Sequence, residues 1–128
     1  MIVVDSSALI AILQGEPEAR SLLDRMVSAE RLAIGAPTKF EALMVATRKP
    51  NGPADIEDLL NHTGCKTSDW TEALVSEAHR AFVLFGKGRH PAKLNFGDCM
   101  AYALAKSLDA PLLYKGEDFA KTDIKAAL

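Results

Sequence analysis

Residues 95–108 carry the clearest structural signal in the chain, an amphipathic helix with a defined start. Four apolar residues recur in it at helical spacing: Ala101, Leu104, Ala105 and Leu108. One side of the segment is therefore predicted to be buried. Asn95 is a favourable N-cap, which places Asp98 in the first turn, near the positive end of the helix dipole. A breaker at 109–111 and the apolar run 112–114 follow, so the helix leads into a short buried strand.

The rest of the chain alternates in the same way between short apolar runs and helical periodicity. The predicted strands are at 2–4, 31–35, 65–67 and 112–114, and the predicted helices are at 8–13, from Pro17, from Pro37, and at 54–62, 71–85 and 95–108. This alternation predicts an α/β protein, a three-layer α/β/α sandwich around a mostly parallel sheet. We expect one domain over residues 1–128, because that length closes a single core.

Composition excludes several classes of protein. The net charge of −2 argues mildly against broad binding of duplex nucleic acid, although a local basic patch remains compatible with it. No apolar run approaches the roughly 20 residues of a membrane span, and the N-terminus has no signal-peptide pattern, so we expect a cytoplasmic protein without membrane contact. Two distant cysteines and three histidines without HExxH spacing argue against zinc and disulfides.

Four acidic residues lie where chemistry could use them: Asp5, Glu41, Asp98 and Asp118. Each has a simpler explanation, since Asp5 could cap a helix, Glu41 and Asp98 could favour a helix dipole, and Asp118 could be a turn residue. Ligand sites in such folds lie beyond the carboxyl ends of the strands, where these acids could meet. Clustered carboxylates repel one another, and a divalent cation with a preference for oxygen ligands, Mg²⁺ or Mn²⁺, would remove that conflict.

Four motifs in chain order resemble those of the PIN domain, the nuclease fold of VapC-type toxins. Residues 3–9, Val-Val-Asp-Ser-Ser-Ala-Leu, look like its opening strand, which ends in Asp and is followed by Ser or Thr. Glu41 stands where the family has an acid on the helix after the second strand. Residues 95–98, Asn-Phe-Gly-Asp, look like the third-acid motif, and residues 112–119 look like the final strand with its acidic turn. The resemblance covers the whole chain.

The resemblance implies a metal-dependent endoribonuclease, the toxin of a type II toxin–antitoxin pair, which cleaves RNA phosphodiesters with a metal-activated water. The expected ligands of Mg²⁺ or Mn²⁺ are Asp5, Glu41 and Asp98, with Asp118 holding a second metal or orienting the water. The implied partners are single-stranded or structured RNA such as tRNA, a VapB-like antitoxin that enters the acidic groove, and a second copy in a homodimer.

One position departs from the family pattern. Many members carry an acid two residues before the Asp of the final Asp-Phe pair, and here that residue is Gly116. We therefore expect Asp118 to be the fourth acid, with Glu117 as the alternative.

Each of the other residues near these motifs could have either a functional or a structural role. Ser6 could bind a ligand carboxylate or a metal water, but helix capping is favoured. Four cations could contact backbone phosphates or could be ordinary solvated charges: Lys39, Arg89, Lys93 and Lys115. Cys99 is expected to be buried and structural, because no histidine lies near it in sequence. Trp70 and Tyr102 could stack on bases, although core or interface positions are commoner for such residues.

Two other functions fit parts of the sequence. A receiver-like phosphoacceptor domain also has an aspartate after its first strand and a lysine after its last, which Lys115 could mimic, but it needs an aspartate after a central strand, a role that only Asp69 could fill. A catalytically silent PIN-like module could instead use the acids only to dock a basic partner.

Overall fold

A computed structural model describes residues 1–128 of the chain. The elements in chain order are β1 (Ile2–Val4), α1 (Ser6–Leu13), α2 (Ala19–Ser28), β2 (Leu32–Gly35), α3 (Ala36–Ala46), α4 (Gly52–His62), β3 (Cys65–Ser68), α5 (Glu72–Phe85), α6 (Phe96–Ser107), β4 (Leu112–Leu113) and a short 3₁₀ turn at Phe119–Lys121. None of the helices combines the length and the apolar character that crossing a bilayer requires.

The four strands form one parallel sheet in the order β3-β2-β1-β4. Val3 is the register residue at the centre, opposite Ala33 of β2 on one side and Leu112 of β4 on the other. All four carboxyl ends therefore point to the same edge of the sheet. The observed architecture confirms the predicted α/β/α sandwich around a parallel sheet.

The two faces of the sheet bury different cores, because successive strand residues point to opposite sides. Ile2 and Val4 pack with buried residues of α1, α2, α3 and α4. Val3 and Leu112 pack on the other side with α5 and α6. The helices thus form the two outer layers, and β1 lies in the middle of the molecule.

The buried faces of α3 and α5 consist mostly of small residues, and the largest apolar side chains of these helices are exposed. Phe40 and Met44 of α3 are 64% and 55% exposed, and Phe82 of α5 is 40% exposed. The buried residues of these helices are Thr38, Ala42 and Ala46 in α3 and Leu74, Ala78 and Ala81 in α5. Small side chains allow α3 to lie close to the sheet and α5 to lie close to α6, and the large apolar residues are left on the surface.

The start of α6 is confirmed as an N-cap. Asn95 Oδ1 accepts a hydrogen bond from the Asp98 N–H at 2.8 Å, and Asp98 Oδ2 accepts one from the Asn95 N–H at 3.1 Å. This reciprocal capping box ties Asp98 to the first turn of α6. The apolar face behind it is buried at Ala101, Leu104 and Ala105, as the helical spacing predicts. Leu108, expected on the same face, is 41% exposed, because it is the C-cap and lies beyond the last turn of α6.

The sheet order rules out the receiver-like alternative. Asp69 follows β3, which is an edge strand, and Asp69 is exposed. A receiver domain needs its phosphoacceptor after a central strand, and β2 and β1, the two central strands, end in Gly35 and before Asp5. The aspartate at the centre of the sheet is therefore Asp5 alone.

Candidate active site

The four predicted acids interact at the carboxyl edge of the sheet. Asp5 directly follows β1, Glu41 lies on the helix after β2, Asp98 lies in the first turn of α6, and Asp118 lies in the turn after β4. The charges of Glu41 and Asp98 act on Asp5, and those of Glu41 and Asp118 act on Asp98. The structure thus brings together four acids that lie far apart in sequence.

Asp5 is the most buried of the four, with 3% of its surface exposed. Its Oδ2 accepts hydrogen bonds from the Ser7 N–H at 3.1 Å and from Ser7 Oγ at 2.5 Å, which caps α1. Its Oδ1 is buried and has no hydrogen-bond partner. The pKa of Asp5 is raised to about 6: burial is the largest cause, the negative charges of Asp98 and Glu41 act in the same direction, and the two Ser7 hydrogen bonds oppose the shift.

Ser7 is a positioning residue that sequence reasoning did not single out. Its Oγ accepts the Lys115 N–H at 3.0 Å while donating to Asp5, so the residue after the last strand is linked to the aspartate after the first. The only sequence signal is a hydroxyl two residues after Asp5, which is also the ordinary composition of a helix start.

Glu41 is held by a serine of the neighbouring helix. Ser6 Oγ donates to Glu41 Oε1 at 2.7 Å. Ser6 therefore binds a site carboxylate, the reading that the sequence analysis placed second to capping, while Asp5 is the cap of α1. The other oxygen, Oε2, lies against the backbone of α6: a Cβ added at Gly97 would be 2.2 Å from it. Gly97 thus permits the contact between α3 and α6 that places Glu41 beside Asp98.

Asp98 is half-buried, and its carboxylate serves the capping box of α6. Burial raises the pKa of Asp98, and the charges of Asp118 and Glu41 raise it further, whereas the hydrogen bond from the Asn95 N–H opposes this shift. Both Asp5 and Asp98 therefore hold protons more tightly than ordinary aspartates. At both positions, repulsion between the carboxylates and the loss of hydration each raise the pKa.

The final turn explains the departure at Gly116. Its φ of 104° lies in a region that side chains other than glycine rarely adopt, so an acid at this position would be strained. Asp118 is exposed, and its charge acts on Asp98; the exposed Glu117 has no such effect on Asp98 or Asp5. Phe119 is buried against Tyr114, with ring centroids 5.1 Å apart, and anchors the turn.

Two observations bear on whether the acids could hold a metal. The partnerless, buried Oδ1 of Asp5 is a hard oxygen donor without a proton or cation to satisfy it, and the surrounding carboxylates suit Mg²⁺ or Mn²⁺. As the side chains stand, however, no three acidic, histidine or cysteine groups are arranged to hold one ion. The oxygens of Asp98 and Glu41 are turned toward the Asn95 N–H and Ser6 Oγ. The donor set fits a hard divalent cation, and ligation would require these side chains to rotate.

The four cations suggested for phosphate contact differ in their surroundings. Lys39 pairs with Glu57 at 2.9 Å, and Lys115 pairs with Glu16 and, at 3.5 Å, with Glu18. Arg89 and Lys93 have no carboxylate partner among the ion pairs of the structure, which are Arg20–Asp24, Lys39–Glu57, Arg80–Glu77, Lys106–Asp123, Lys115–Glu16 and Lys115–Glu18.

Cys99 and Tyr102 are buried in the core, whereas Trp70 is half-buried. Cys99 is buried, and burial raises the pKa of its thiol to about 11, so a nucleophilic role is not supported. Tyr102 is in the core and donates to Asp123 Oδ1 at 2.6 Å. Trp70 is half-buried and lines an apolar groove of about 320 Å³ between α5 and α6. The groove also contains Val75, Ala78, His79, Phe82, Phe96, Cys99 and Met100.

Comparisons with known proteins agree with one another. The family model described as PIN domain matches residues 2–125. Ribonuclease VapC36 of Mycobacterium tuberculosis is 41% identical over 127 residues, covering 96% of this chain and 91% of the relative. Ribonuclease VapC of Mycolicibacterium smegmatis is 39% identical over 126 residues, covering 97% and 98%.

Two solved structures share the fold at much lower identity. VapC20 of M. tuberculosis, described as a sarcin–ricin loop cleaving toxin, superposes with a TM-score of 0.76 at 15% identity, covering 97% of this chain and 96% of its own. A chain of a toxin–antitoxin complex from Klebsiella pneumoniae superposes with a TM-score of 0.72 at 18% identity, covering 96% and 93%.

Proposed function

The chain belongs to the PIN-domain family and, within it, to the VapC ribonucleases, and from that premise we propose that its four acids form a metal-dependent endoribonuclease site. The chain is a PIN-domain ribonuclease of the toxin type. The proposal adds which residues act, Asp5, Glu41, Asp98 and Asp118, and that Mg²⁺ or Mn²⁺ is required.

One observation carries the proposal: a carboxylate with a partnerless oxygen is buried at the centre of a cluster of like charges. Capping of α1 uses only Oδ2 of Asp5, and leaving the buried Oδ1 without a partner costs free energy that the cap does not explain. Asp5, Glu41 and Asp98 would hold the cation. When bound, the cation supplies Lewis-acid chemistry, since it acidifies water and offsets negative charge that develops on a phosphodiester.

The residues around the acids fix their directions. Ser7 holds one oxygen of Asp5 and leaves the other free, and Ser6 does the same for Glu41. Asp118, exposed at the rim, orients the attacking water and accepts its proton. Without the serines, the acids would lose orientation that the reaction needs at the moment when charge develops.

The test combines calorimetry and cleavage. Asp98→Asn keeps the size of the side chain and an oxygen for the capping box, but removes a charge, so Mn²⁺ affinity and cleavage of a single-stranded RNA, with a tRNA as a second substrate, should both fall sharply. Chelation with EDTA should abolish cleavage by the wild type, and added Mn²⁺ should restore it.

Asp58→Asn is a matched control, because Asp58 is exposed on α4 and outside the cluster. It should leave both readouts unchanged. A folded Asp98→Asn protein that binds Mn²⁺ as the wild type does would refute the assignment of the site. A wild type that binds Mn²⁺ but cleaves no RNA would support the silent binding module instead.

The partner proposed for the acidic edge is an antitoxin of the VapB kind. One structural neighbour is a toxin–antitoxin complex, and the exposed side of the cluster is negative through Asp118 and Glu117. A basic or aromatic side chain of the antitoxin would enter this groove and block it. A VapB-type antitoxin, to be sought in the reading frame next to that of this chain, should inhibit cleavage when the purified protein is added in equal amount.

A homodimer is the second assembly that we propose. The apolar groove between α5 and α6 is lined by exposed Val75, Phe82 and Phe96, and a contiguous exposed apolar patch of this kind is typical of a protein–protein interface. A second copy would cover it. Light scattering should give twice the mass of the chain, and Phe82→Glu should give the monomer with its helical content unchanged.

A further inference from the structure

We propose that residues 86–94, here called the cationic loop, form a subsite that binds the backbone phosphates of RNA beside the acid cluster. This inference rests on the proposed function, because it names where the substrate of that site is held. The residues of the cationic loop are not among the caps, the packing partners or the proposed metal ligands of the acid cluster.

The cationic loop carries positive charge that nothing in the protein neutralises. Lys87, Arg89 and Lys93 line a shallow concavity of about 520 Å³ together with Gly88, His90 and Pro91. None of the three cations has a carboxylate within the 4.0 Å of an ion pair, and the loop itself contains no acid. Three cations that share one surface repel one another, and an anion placed between them removes that repulsion.

Some polar groups of the cationic loop form hydrogen bonds within the protein, and others remain available to a ligand. Arg89 Nε donates to the Val83 carbonyl at 3.1 Å, so its terminal nitrogens are left for an outside acceptor. His90 Nδ1 accepts the Ala92 N–H at 3.0 Å, which places the ring proton of the neutral form on Nε2. Phosphate oxygens are acceptors only and suit such donors.

The loop is held in one shape rather than left free. The Lys87 N–H donates to the Leu94 carbonyl at 2.9 Å, and the Leu94 N–H donates to the Phe85 carbonyl at 3.0 Å, which closes its two ends. Buried Ala92 and Leu94 anchor it to the core. The cations are thus presented at fixed positions, and binding does not have to order the backbone.

Lys93 is the strained residue of the loop. Its φ of 54° is left-handed, a conformation that non-glycine residues adopt at a cost of about 1 kcal/mol or more and that accumulates at functional sites. Lys93 is exposed, so core packing does not explain the residue type. The left-handed backbone at Lys93 thus has no explanation in packing, and its exposed ammonium is available to an anion.

The position of the loop decides which anion it binds. Lys93 and Leu94 run directly into Asn95, the cap of the helix whose first turn holds Asp98. The acid cluster repels phosphates, and Lys39 and Lys115 are already paired with glutamates. An RNA backbone that enters the site along the start of α6 would therefore gain from the positive charge of the cationic loop, which immediately precedes that helix. Single-stranded RNA is favoured over an acidic protein segment because the adjoining site acts on a phosphodiester.

The test measures binding without cleavage. A short fluorescein-labelled single-stranded RNA of mixed sequence is titrated with the wild type in EDTA over a series of KCl concentrations. The double variant Lys87→Gln/Lys93→Gln should bind more weakly, and its slope of log K against log salt should be smaller by about 0.7 per lost phosphate contact, or about 1.4 in total. Lys87→Arg/Lys93→Arg should retain the wild-type slope.

Lys125→Gln is the matched control. Lys125 is exposed, unpaired and beside the first residue of β4, at the edge of the sheet opposite the acids. It should change neither the affinity nor the slope. In steady-state cleavage with Mn²⁺, the loop variants should raise KM and leave kcat unchanged, because they remove binding that substrate and transition state share.

Several results would overturn the inference. A double variant with the wild-type slope would do so, as would a Lys125→Gln variant that loses as much affinity. Loop variants that bind RNA normally but lose the antitoxin would show that the loop is a protein-binding surface. If the wild type binds RNA through the loop but never cleaves it, the proposed function fails and the loop assignment stands. If the loop variants cleave RNA with the KM and kcat of the wild type, the loop assignment fails and the proposed function stands.

Discussion

Asp5 links stability to pH through its buried carboxyl group. Its pKa is raised from 3.8 to about 6, so the folded state binds this proton more tightly than the unfolded chain does. The stabilisation from that proton is complete below about pH 4 and is lost as the pH rises through about 6. A shift of about two units corresponds to roughly 3 kcal/mol at neutral pH.

The metal-free Asp5→Asn protein should therefore be more stable than the wild type at about pH 7.5, by up to about 3 kcal/mol, and nearly equal to it in stability at about pH 3.5. Asparagine can still accept the Ser7 hydrogen bonds and cap α1. Urea unfolding in EDTA at the two pH values measures the difference. Asp58→Asn serves as the exposed control, and an equal gain there would remove Asp5 as the cause.

The turn at Asp118 and Glu117 allows a prediction about neighbouring acids. Of these two acids, only Asp118 acts electrostatically on Asp98. Asp118→Asn should therefore reduce the RNase rate strongly, whereas Glu117→Gln should have little effect. Both substitutions are exposed and should leave the unfolding temperature unchanged. The opposite order of defects would move the fourth acid by one residue, and two mild defects would leave a site of three acids.

At the scale of elements, the acids are placed by the starts of helices. Asp5 caps α1, Asp98 is in the capping box of α6, and Asp118 precedes the 3₁₀ turn. The hydrogen bonds that begin α1 and α6 therefore orient the carboxylates of Asp5 and Asp98, whereas the side chain of Asp118 makes no capping bond. Glu41 differs, because it lies in the second turn of α3 and depends on the approach of α6 at Gly97.

Gly97→Ala tests this approach of two helices. The new Cβ would be 2.2 Å from Glu41 Oε2, so the carboxylate must move and its bond from Ser6 Oγ is lost. Alanine is the better helix former by about 1 kcal/mol, and the flexible end of Glu41 can yield, so stability should change little while cleavage falls strongly. Ser6→Ala should lower the rate in the same direction and more mildly. A fully active Gly97→Ala enzyme would contradict the role of this contact.

At the scale of the whole molecule, the site should make the protein toxic. Expression of the chain alone should arrest bacterial growth, and Asp5→Ala should relieve the arrest, since losing a carboxylate ligand costs several kcal/mol of charge stabilisation. Co-expression with the antitoxin from the neighbouring reading frame should also restore growth. Colony counts after induction measure the effect, with soluble protein checked on gels. Equal toxicity of folded Asp5→Ala would exclude a nuclease mechanism based on this cluster.

The local signals in the sequence were enough for the layout of the fold. Alternating strands and helices predicted the parallel sandwich, and the Asn95 cap with its apolar spacing predicted α6. The four acids followed from the order of their motifs, and the structure places them at one edge of the sheet. Such features are readable because caps, periodicity and breakers act over a few residues.

Long-range packing decided the rest. Phe40 and Phe82 are the large apolar residues of α3 and α5, yet both are exposed, because small residues of these helices form the buried contacts. The pairing of Lys115 with Glu16 spans 99 positions, and so does not appear in any local pattern. The sequence alone thus determined which acids could meet and on which elements. Only the tertiary structure decided that Ser6 orients Glu41, 35 positions away, and which cations pair with carboxylates, because those contacts join residues that lie far apart along the chain.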